Sequence, residues 1–265
     1  MLEEIVLGII QGIAEWLPVS SEGLIVLAKR HLFGSDAGVD TIVQEALLLH
    51  LGTFFAALIY LRKDVVSLLG VARNYRSAAP EQRATLRFLT VATIVSGLLG
   101  VFVLVALSSI EDRLELAGQI LTAGVGVLLI GTAVLQLRTP ESGHKLPSDL
   151  RTNDDLLLGV VQGLAVLPGL SRSGLTVSSL LLRGFEKEVA LRLSFLMSLP
   201  IVLGGNVVLN LGDADIGAAQ VAGIAAAFVF GLLTIDLLLR AARRFNFGYF
   251  VLAFGVLVIA SAPVS

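Results

Sequence analysis

The feature of this sequence that most restricts its fold is a series of long apolar runs. A helix that crosses the hydrocarbon core of a bilayer needs roughly 20 predominantly apolar residues. Six stretches are candidates for such helices: 42–61, 88–107, 116–137, 190–211, 216–239 and 247–262. Only 15% of the 265 residues are charged, and the mean hydropathy is +0.89. The sequence therefore predicts an all-α, polytopic membrane protein that forms a single membrane domain over residues 1–265.

Two further segments, at about 1–28 and 155–183, are long enough to span a membrane but are interrupted. The first is broken by LPVSSEG (17–23) and the second by LPGLSRSG (167–174). Proline and glycine stop helix propagation and leave backbone groups unpaired, which hydrocarbon tolerates only where the backbone is buried in protein or lines a wet cavity. Each segment is therefore predicted to be a re-entrant helical hairpin, which brings the total to six transmembrane helices and two hairpins.

The positions of lysine and arginine predict the orientation. If 62–87 is an inner loop, nearly all basic residues fall on the inner side, while Lys29, Arg30 and Arg113 fall outside. Cytoplasmic loops carry an excess of basic residues. We therefore expect a multi-pass plasma-membrane protein with both termini outside, one hairpin entering from each face.

The two interrupted segments resemble each other. GIIQGIAEWLPVSSEGL (8–24) aligns with GVVQGLAVLPGLSRSGL (159–175), so that Ser21 corresponds to Arg172. Matched, broken segments in two halves of a membrane protein indicate an inverted repeat with a site near the bilayer midplane. The halves are predicted at about 1–137 and 155–262, with Arg172 pointing toward the tip of the first hairpin.

The residues at the two tips suit phosphoryl transfer. Arginine presents a planar fork of donors, and the helix expected to restart near Gly174 would add a positive dipole end. The opposite tip brings carboxylates and hydroxyls, and Gln11 lies one turn before Glu15 on the same helix face. The candidate residues are Glu15, Ser21, Glu22 and Arg172, together with five that are predicted to bind the substrate: Gln11, Ser20, Ser171, Ser173 and Thr176.

Three stretches connect the chain with a known family. With GIIQGIAEWLPVSSEG, LHLGTFFAALIYLRKDV (49–65) and PGLSRSGLT (168–176), the sequence resembles the undecaprenyl-diphosphate phosphatases, also called bacitracin-resistance proteins. The resemblance implies an integral membrane hydrolase that converts a polyprenyl diphosphate lipid to the monophosphate and inorganic phosphate on the outer face, recycling the lipid carrier. It implies a divalent cation, Mg²⁺ or Ca²⁺, as cofactor. We expect contacts with this lipid and the bilayer and no nucleic-acid partner, and the sequence leaves a monomer or a homodimer open.

The resemblance also assigns roles. Glu15 matches the family's motif glutamate, a metal ligand or general base. Ser21 matches the second serine of its PVSS, a nucleophile or phosphate donor, and Arg172 matches the arginine that clamps the diphosphate. The predicted catalytic residues are therefore these three.

Three positions depart from the family pattern. Gln11 replaces a glutamate, Leu24 replaces a histidine, and Glu22 replaces a small neutral residue. We therefore hypothesise that Glu22 compensates by joining Glu15 in metal binding.

Other functions and roles remain open from the sequence. The same midplane site suits a transporter of a lipid phosphate or small anion, or an inactive lipid-binding relative. His50 either lines the cavity or is a buried, hydrogen-bonded histidine, and the second interpretation is favoured. Gln11 and Gln162 are expected to pack or hydrogen-bond between the hairpins. Four glycines are expected to permit close helix packing: Gly97, Gly100, Gly204 and Gly205.

Overall fold

The protein is built from helices. A computed structural model describes residues 1–17, 19–35, 39–111, 118–140, 143–167, 169–210, 217–244 and 248–261. Within these ranges the helices are α1 (Leu2–Ala14), α2 (Ser21–Leu27), α3 (Val39–Tyr60), α4 (Arg62–Arg73), α5 (Pro80–Glu111), α6 (Gly118–Arg138), α7 (Thr152–Leu164), α8 (Arg172–Leu182), α9 (Lys187–Asn210), α10 (Ala218–Arg244) and α11 (Gly248–Ser261). A π-helical turn at Ala28–Leu32 follows α2, and the described residues form no β-strand beyond an isolated bridge between Lys145 and Phe185.

The predicted apolar runs coincide with six of these helices, α3, α5, α6, α9, α10 and α11. Three segments of the described chain are long and apolar enough to cross a membrane: Pro80–Ala106, Lys187–Val208 and Ala218–Leu237. Three shorter apolar helices accompany them, at Gln44–Tyr60, Ala123–Arg138 and Gly248–Ala260. The prediction of an all-helical membrane protein is confirmed.

The two interrupted segments each form a pair of helices. The backbone N–H of Gly23 donates to Ser20 Oγ over 3.1 Å at the start of α2, and the N–H of Gly174 donates to Ser171 Oγ over 3.1 Å at the start of α8. Both serines are thus N-caps, and each satisfies a donor that a helix start leaves free. Helix α8 begins at Arg172, two residues before the restart predicted near Gly174, because Ser171 supplies the N-cap. Both prolines of the breaks, at 18 and 168, lie outside the described residues.

Glycines bring the packed helices together. The broken helix α1 packs on α10, and α7 packs on α5. A Cβ added to Gly8 would lie 2.2 Å from the carbonyl oxygen of Gly223, and one added to Gly159 would lie 2.7 Å from Val95 Cβ. At these contacts only glycine allows the observed helix separation.

The four glycines predicted for close packing do something else. A Cβ on Gly97 or Gly100 would have no neighbour nearer than 3.9 Å, one on Gly205 none nearer than 3.6 Å, and one on Gly204 none within 4 Å. The packing prediction is therefore wrong for these positions. Each of them lines a cavity, so the missing side chain leaves open space.

Ion pairs hold each hairpin at the end away from its tip. On α7, Asp155 accepts a 2.8 Å hydrogen bond from Arg87 Nε of α5, and Asp154 accepts one of 2.7 Å from Arg183 Nε. At the corresponding end of α1, Lys29 Nζ lies 3.4 Å from Glu3 and also pairs with Glu45 of α3. Both hairpins are thus anchored to neighbouring helices at the end away from their tips.

Two predicted loops need comment. The basic stretch 62–87, predicted as a loop, contains α4 and the first part of α5. The polar residues of α4 interrupt the apolar pattern by which a membrane helix is predicted. The predicted orientation also places two acidic turns outside, SSIEDRLE (108–115) and LGDADIG (211–217), and these lie largely outside the described residues, which omit 112–117 and 211–216.

Candidate functional site

The two hairpin tips meet at the carboxylate of Glu15, just after the last residue of α1. Gln11 Nε2 donates to Glu15 Oε2 over 3.0 Å, and Ser21 Oγ donates to the same oxygen over 3.1 Å. His50 Nε2 of α3 lies 3.3 Å from Glu15 Oε2. The other oxygen, Oε1, pairs with Nη2 of Arg172 from the opposite tip. The predicted approach of Arg172 to the first hairpin is confirmed.

The surroundings of Glu15 explain how a carboxylate is held inside the protein. Glu15 is 6% exposed. Burying a charge is costly unless it is paired and hydrogen-bonded. Arg172 supplies the opposite charge, while the amide, hydroxyl and imidazole groups occupy the second oxygen. The arrangement fixes the position of the carboxylate from four helices, α1, α2, α3 and α8.

Two serines of the second tip bind the first tip through its backbone. Ser171 Oγ donates to the carbonyl oxygen of Val19 over 3.0 Å, and Ser173 Oγ donates to that of Leu17 over 2.9 Å. Both serines also line the cavity described below. The two hydroxyl groups therefore hydrogen-bond one tip to the other. The predicted contact of these serines with the substrate stays a prediction.

The other predicted binding residues occupy different positions. Ser20 lines the cavity while it caps α2. Thr176 is turned toward α9, where its hydroxyl lies 2.6 Å from Ser194 Oγ. The hydrogen bonds of the described residues do not join Gln11 to Gln162. Gln11 Nε2 donates to Glu15, and Gln162 Nε2 donates to Ser96 Oγ of α5 over 3.1 Å.

A cavity of about 550 Å³ opens beside the tips. Its polar end is formed by Glu15, Ser21, Glu22, His50 and Arg172, and its other walls come mainly from α5 and α9. This volume is within the usual range for small-molecule sites, roughly 300–1,000 Å³, which are mostly apolar with a few placed polar groups. The cavity therefore suits a ligand with an anionic head and an apolar body.

Three polar atoms at the tips are buried and have no hydrogen-bond partner among the described residues: Gln11 Oε1, Glu22 Oε2 and Arg172 Nη1. A buried polar group without a partner is uncommon and costs free energy. The arginine nitrogen is a donor suited to an anion, whereas the two oxygens are acceptors suited to a cation.

These oxygens bear on the implied divalent cation. The described residues contain no group of three or more His, Cys, Asp or Glu side chains that could hold a metal alone. Mg²⁺, however, commonly uses one or two carboxylates and takes its other ligands from water and substrate phosphates. Glu22 beside Glu15 fits such a partial site, and Gln11 adds a free amide oxygen.

His50 belongs to the site, although the sequence favoured a buried, hydrogen-bonded histidine over one that lines the cavity. It is 7% exposed, it lines the cavity, and its Nδ1 lies 2.7 Å from the carbonyl oxygen of Ala46. The carbonyl oxygen of Ala46 and the carboxylate of Glu15 can both only accept, so both ring nitrogens of His50 carry a proton, Nδ1 toward Ala46 and Nε2 toward Glu15. The one available signal was a histidine inside an apolar run, since polar residues at membrane depth mark functional sites.

The fold and site define an integral membrane protein that holds a carboxylate–guanidinium pair between two broken helices, at the polar end of an apolar cavity. Residues 4–260 match the family described as bacitracin resistance protein BacA. The chain belongs to this family, and the resemblance found from its motifs is confirmed.

Two relatives show how far the similarity extends. The undecaprenyl-diphosphatase of Methanococcoides burtonii is 42% identical over 261 residues, which cover 97% of this chain and 96% of the relative. The undecaprenyl-diphosphatase of Haloarcula marismortui is 40% identical over 263 residues, which cover 96% of this chain and 94% of the relative. The similarity therefore spans both hairpins and the helices that pack on them.

Proposed function

We propose that this protein is an undecaprenyl-diphosphatase, which hydrolyses a polyprenyl diphosphate to the monophosphate and inorganic phosphate. The carrying observation is the 3.1 Å hydrogen bond from Ser21 Oγ to Glu15 Oε2, with Arg172 on the other oxygen of the same carboxylate. A nucleophile paired with a base that a third group orients is the usual geometry of covalent catalysis. The names of the relatives agree with hydrolysis and do not favour the transporter.

Arg172 is proposed to bind the diphosphate. It is the first residue of α8, where free backbone N–H groups and the helix dipole favour an anion. Its Nη1 has no hydrogen-bond partner in the part of the chain that the structure describes. When a phosphate oxygen binds the guanidinium, the Glu15 carboxylate loses part of its pairing at Oε1 and becomes a stronger base for the Ser21 proton at Oε2.

Ser21 is proposed as the nucleophile. Its Oγ attacks the terminal phosphorus while its proton passes to Glu15, and the bond from that phosphorus to the bridging oxygen breaks. Polyprenyl monophosphate leaves with the bridging oxygen. Glu15 returns its proton to that oxygen. A water then attacks the phosphoserine and gives a proton to the free Glu15 carboxylate, which passes it to Ser21 Oγ as the serine leaves and inorganic phosphate is released. Ser20, Ser171 and Ser173 line the pocket around this reaction.

We propose that a divalent cation, Mg²⁺ or Ca²⁺, binds with the diphosphate at Glu22 and Glu15. When bound it would neutralise phosphate charge. The free Oε2 of Glu22 supports this assignment, as does the free amide oxygen of Gln11. Thr176 and Gln11 are proposed to support the site from one turn away, by holding α8 and Glu15 respectively.

The proposed activity is tested by phosphate release from undecaprenyl diphosphate by purified protein in detergent, with and without chelator. We expect cation-dependent release that falls about a thousandfold in Ser21→Ala, because the nucleophile is lost. Ser198→Ala is the matched control, since Ser198 is equally buried but donates to Phe195 within its own helix. Arg172→Ala should raise KM as well as lower kcat.

Two results would decide against parts of this proposal. No release by folded wild-type protein that still binds the lipid would reject hydrolysis and return attention to transport. Release that survives Ser21→Ala but is lost in Glu15→Gln would reject the serine nucleophile and leave Glu15 as base for a water. A trapped phosphoprotein in wild type and its absence in Ser21→Ala would support the covalent route.

We further propose the finer topology: six transmembrane helices, two re-entrant hairpins related by an inverted repeat, both termini outside and the site open outward. The equal 3.1 Å caps of α2 and α8 support the repeat. The chain contains no cysteine, so single cysteines report accessibility without background. We expect Leu32→Cys to react with a membrane-impermeant thiol reagent in intact cells, and Ser77→Cys to react only after lysis. The reverse pattern would invert the proposed orientation.

A further inference from the structure

Helix α4 is too short to cross a membrane, although it joins two apolar helices. Its 12 residues extend over roughly 18 Å at 1.5 Å per residue, whereas the hydrocarbon core is about 30 Å thick. Only Leu61 separates it from the end of α3, and a 3₁₀ turn at Tyr75–Ser77 leads from it to α5, whose apolar segment begins at Pro80. Because both neighbouring helices end at α4, this helix lies at a membrane surface instead of across the bilayer.

One face of α4 packs on the protein. The side chains of Val65 and Leu68 pack against the buried core, and Val71 is 5% exposed. On the same side, Asp64 pairs with Arg192 of α9. These contacts fix which side of the helix is turned away from the protein.

The opposite face combines apolar and basic side chains. Arg62, Val66, Leu69 and Arg73 follow one another at intervals of three or four residues, and Lys63 lies three residues before Val66, so all five share one side of the helix. Val66 is 68% exposed and Leu69 66%. We call this side the exposed α4 face. It carries two large apolar side chains with cations at both ends.

The charge of this region is strongly positive. Segment 62–76 has a single acidic residue, Asp64, whose partner is Arg192. Its basic residues are Arg62, Lys63, Arg73 and Arg76, all of them exposed. The ion pairs of the described residues leave the last three without a carboxylate partner. Such a face fits a surface that is anionic at its edge and apolar beneath it.

We propose that the exposed α4 face lies in the membrane interface and binds anionic phospholipids. Val66 and Leu69 lie among the upper parts of the acyl chains, while Lys63, Arg73 and Arg76 bind phosphate groups. Amphipathic helices with basic polar sides bind membranes in this way, with the helix axis in the plane of the interface. This lipid is not the substrate, so the proposal is independent of the proposed hydrolysis.

The charge of the face also distinguishes between occupants. A second copy of this chain, packed on the same face about a two-fold axis, would bring the same unpaired cations together. Like charges in contact are unfavourable, whereas an anionic phospholipid brings the opposite charge. Zwitterionic lipid offers the acyl chains but no net charge.

The basic part of the proposal is tested by lipid binding to the purified full-length protein. Phosphatidylglycerol or phosphatidylcholine is titrated from detergent, and bound lipid is counted by native mass spectrometry. The test variant is Lys63→Gln/Arg73→Gln; Arg62 is kept because its Nη1 donates to the carbonyl oxygen of Ile59 over 3.0 Å at the end of α3. The matched control, Arg138→Gln/Arg151→Gln, removes the same charge at exposed positions beside α6 and α7.

We expect Lys63→Gln/Arg73→Gln to weaken the binding of phosphatidylglycerol roughly 30-fold, since each basic residue near an anionic surface contributes about a factor of five. The control variant should bind within twofold of wild type, and the binding of phosphatidylcholine should not change. Equal weakening in both variants would overturn the assignment to α4. Wild type that binds both lipids equally would overturn the selectivity for anionic lipid.

The apolar part is tested by depth, and this measurement does not need the charge variants. The chain has no cysteine, so a fluorophore is attached to Leu69→Cys or, as control, to Ser67→Cys, which lies on the side of α4 where Ser67 Oγ accepts from Gln82 Nε2 of α5. In phosphatidylglycerol vesicles, a lipid with a spin label near the top of its acyl chain should quench the first label strongly and the second weakly. Equal quenching would overturn the orientation of the helix. A dimer that shields the label at position 69 without phosphatidylglycerol would assign the face to a second copy.

Discussion

Replacing His50 by leucine removes one hydrogen-bond donor from the carboxylate at the centre of the site. In the structure His50 Nε2 lies 3.3 Å from Glu15 Oε2, and its Nδ1 is fixed by the carbonyl oxygen of Ala46. Leucine has a similar volume but cannot donate. Glu15 would keep Gln11 and Ser21 on the same oxygen, so we expect a repositioned carboxylate instead of an unfolded protein.

The magnitude follows from the kind of bond removed. A hydrogen bond to a charged group contributes about 1.5–3 kcal/mol. If that energy holds Glu15 in its reactive position, kcat falls by roughly 10- to 150-fold, since each 1.36 kcal/mol on the barrier is a factor of ten. KM should change little, because Arg172, the proposed diphosphate-binding residue, is not contacted by His50 in the described hydrogen bonds.

The assay is steady-state phosphate release from undecaprenyl diphosphate by wild type, His50→Leu and His50→Gln. The amide nitrogen of glutamine reaches nearly as far as Nε2 of histidine, so His50→Gln should recover most of the lost kcat. His144→Gln, in the loop after α6, is the control. The reasoning is refuted if His50→Leu stays within twofold of wild type. It is also refuted if His50→Gln is as slow as His50→Leu, since orientation by hydrogen bonding would then not be the role of this residue.

Three further predictions concern packing, the tips and the cation. Gly52→Ala should lower the free energy of unfolding in detergent by about 1–3 kcal/mol, because its Cβ would lie 2.3 Å from a carbonyl oxygen of α10. Gly124→Ala should instead raise it by up to about 1 kcal/mol, because a Cβ there meets nothing within 4 Å. Equal effects of the two substitutions would contradict the packing described. Ser173→Ala should lower the free energy of unfolding by about 1 kcal/mol and increase hydrogen exchange at the tips, because the hydrogen bond to the carbonyl oxygen of Leu17 is lost. Unchanged exchange would show that this bond does not hold the two tips together. Glu22→Gln should raise the Mg²⁺ concentration for half-maximal phosphate release about tenfold at unchanged melting temperature, and an unchanged cation dependence would exclude Glu22 as a ligand.

The sequence predicted the features that depend on composition and on local spacing. Apolar runs give the helices, because bilayer thickness sets their length. The breaks at both hairpins follow from proline, glycine and serine, and the i, i+4 spacing of Gln11 and Glu15 gives their 3.0 Å contact. The approach of Arg172 to Glu15 was predictable from the repeat, because an inverted repeat brings its two broken segments together.

What the sequence could not supply depends on which helix faces another. His50 lies 35 residues from Glu15, and no local pattern tells that α3 presents it to the first tip. In a sequence, a glycine that allows two helices to pack closely cannot be told from one that lines a cavity, so Gly204 and Gly159 look equivalent. Their difference appears only when a Cβ is placed in the folded structure, with nothing within 4 Å of one and Val95 at 2.7 Å from the other.

The chemistry of the site comes from where the two repeats differ. Ser20 and Ser171 occupy matching positions and make the same 3.1 Å cap, so the repeat builds two equivalent helix starts facing each other. At the next position one tip carries Ser21 and the other Arg172, and Glu15 is present in only one of them. A perfectly symmetric pair would place two serines or two arginines together, which gives either no charge for the diphosphate or like charges with no counter-ion. Shared backbone geometry with unlike side chains therefore holds the proposed nucleophile, its proposed base and the proposed anion-binding group within hydrogen-bonding reach of one another.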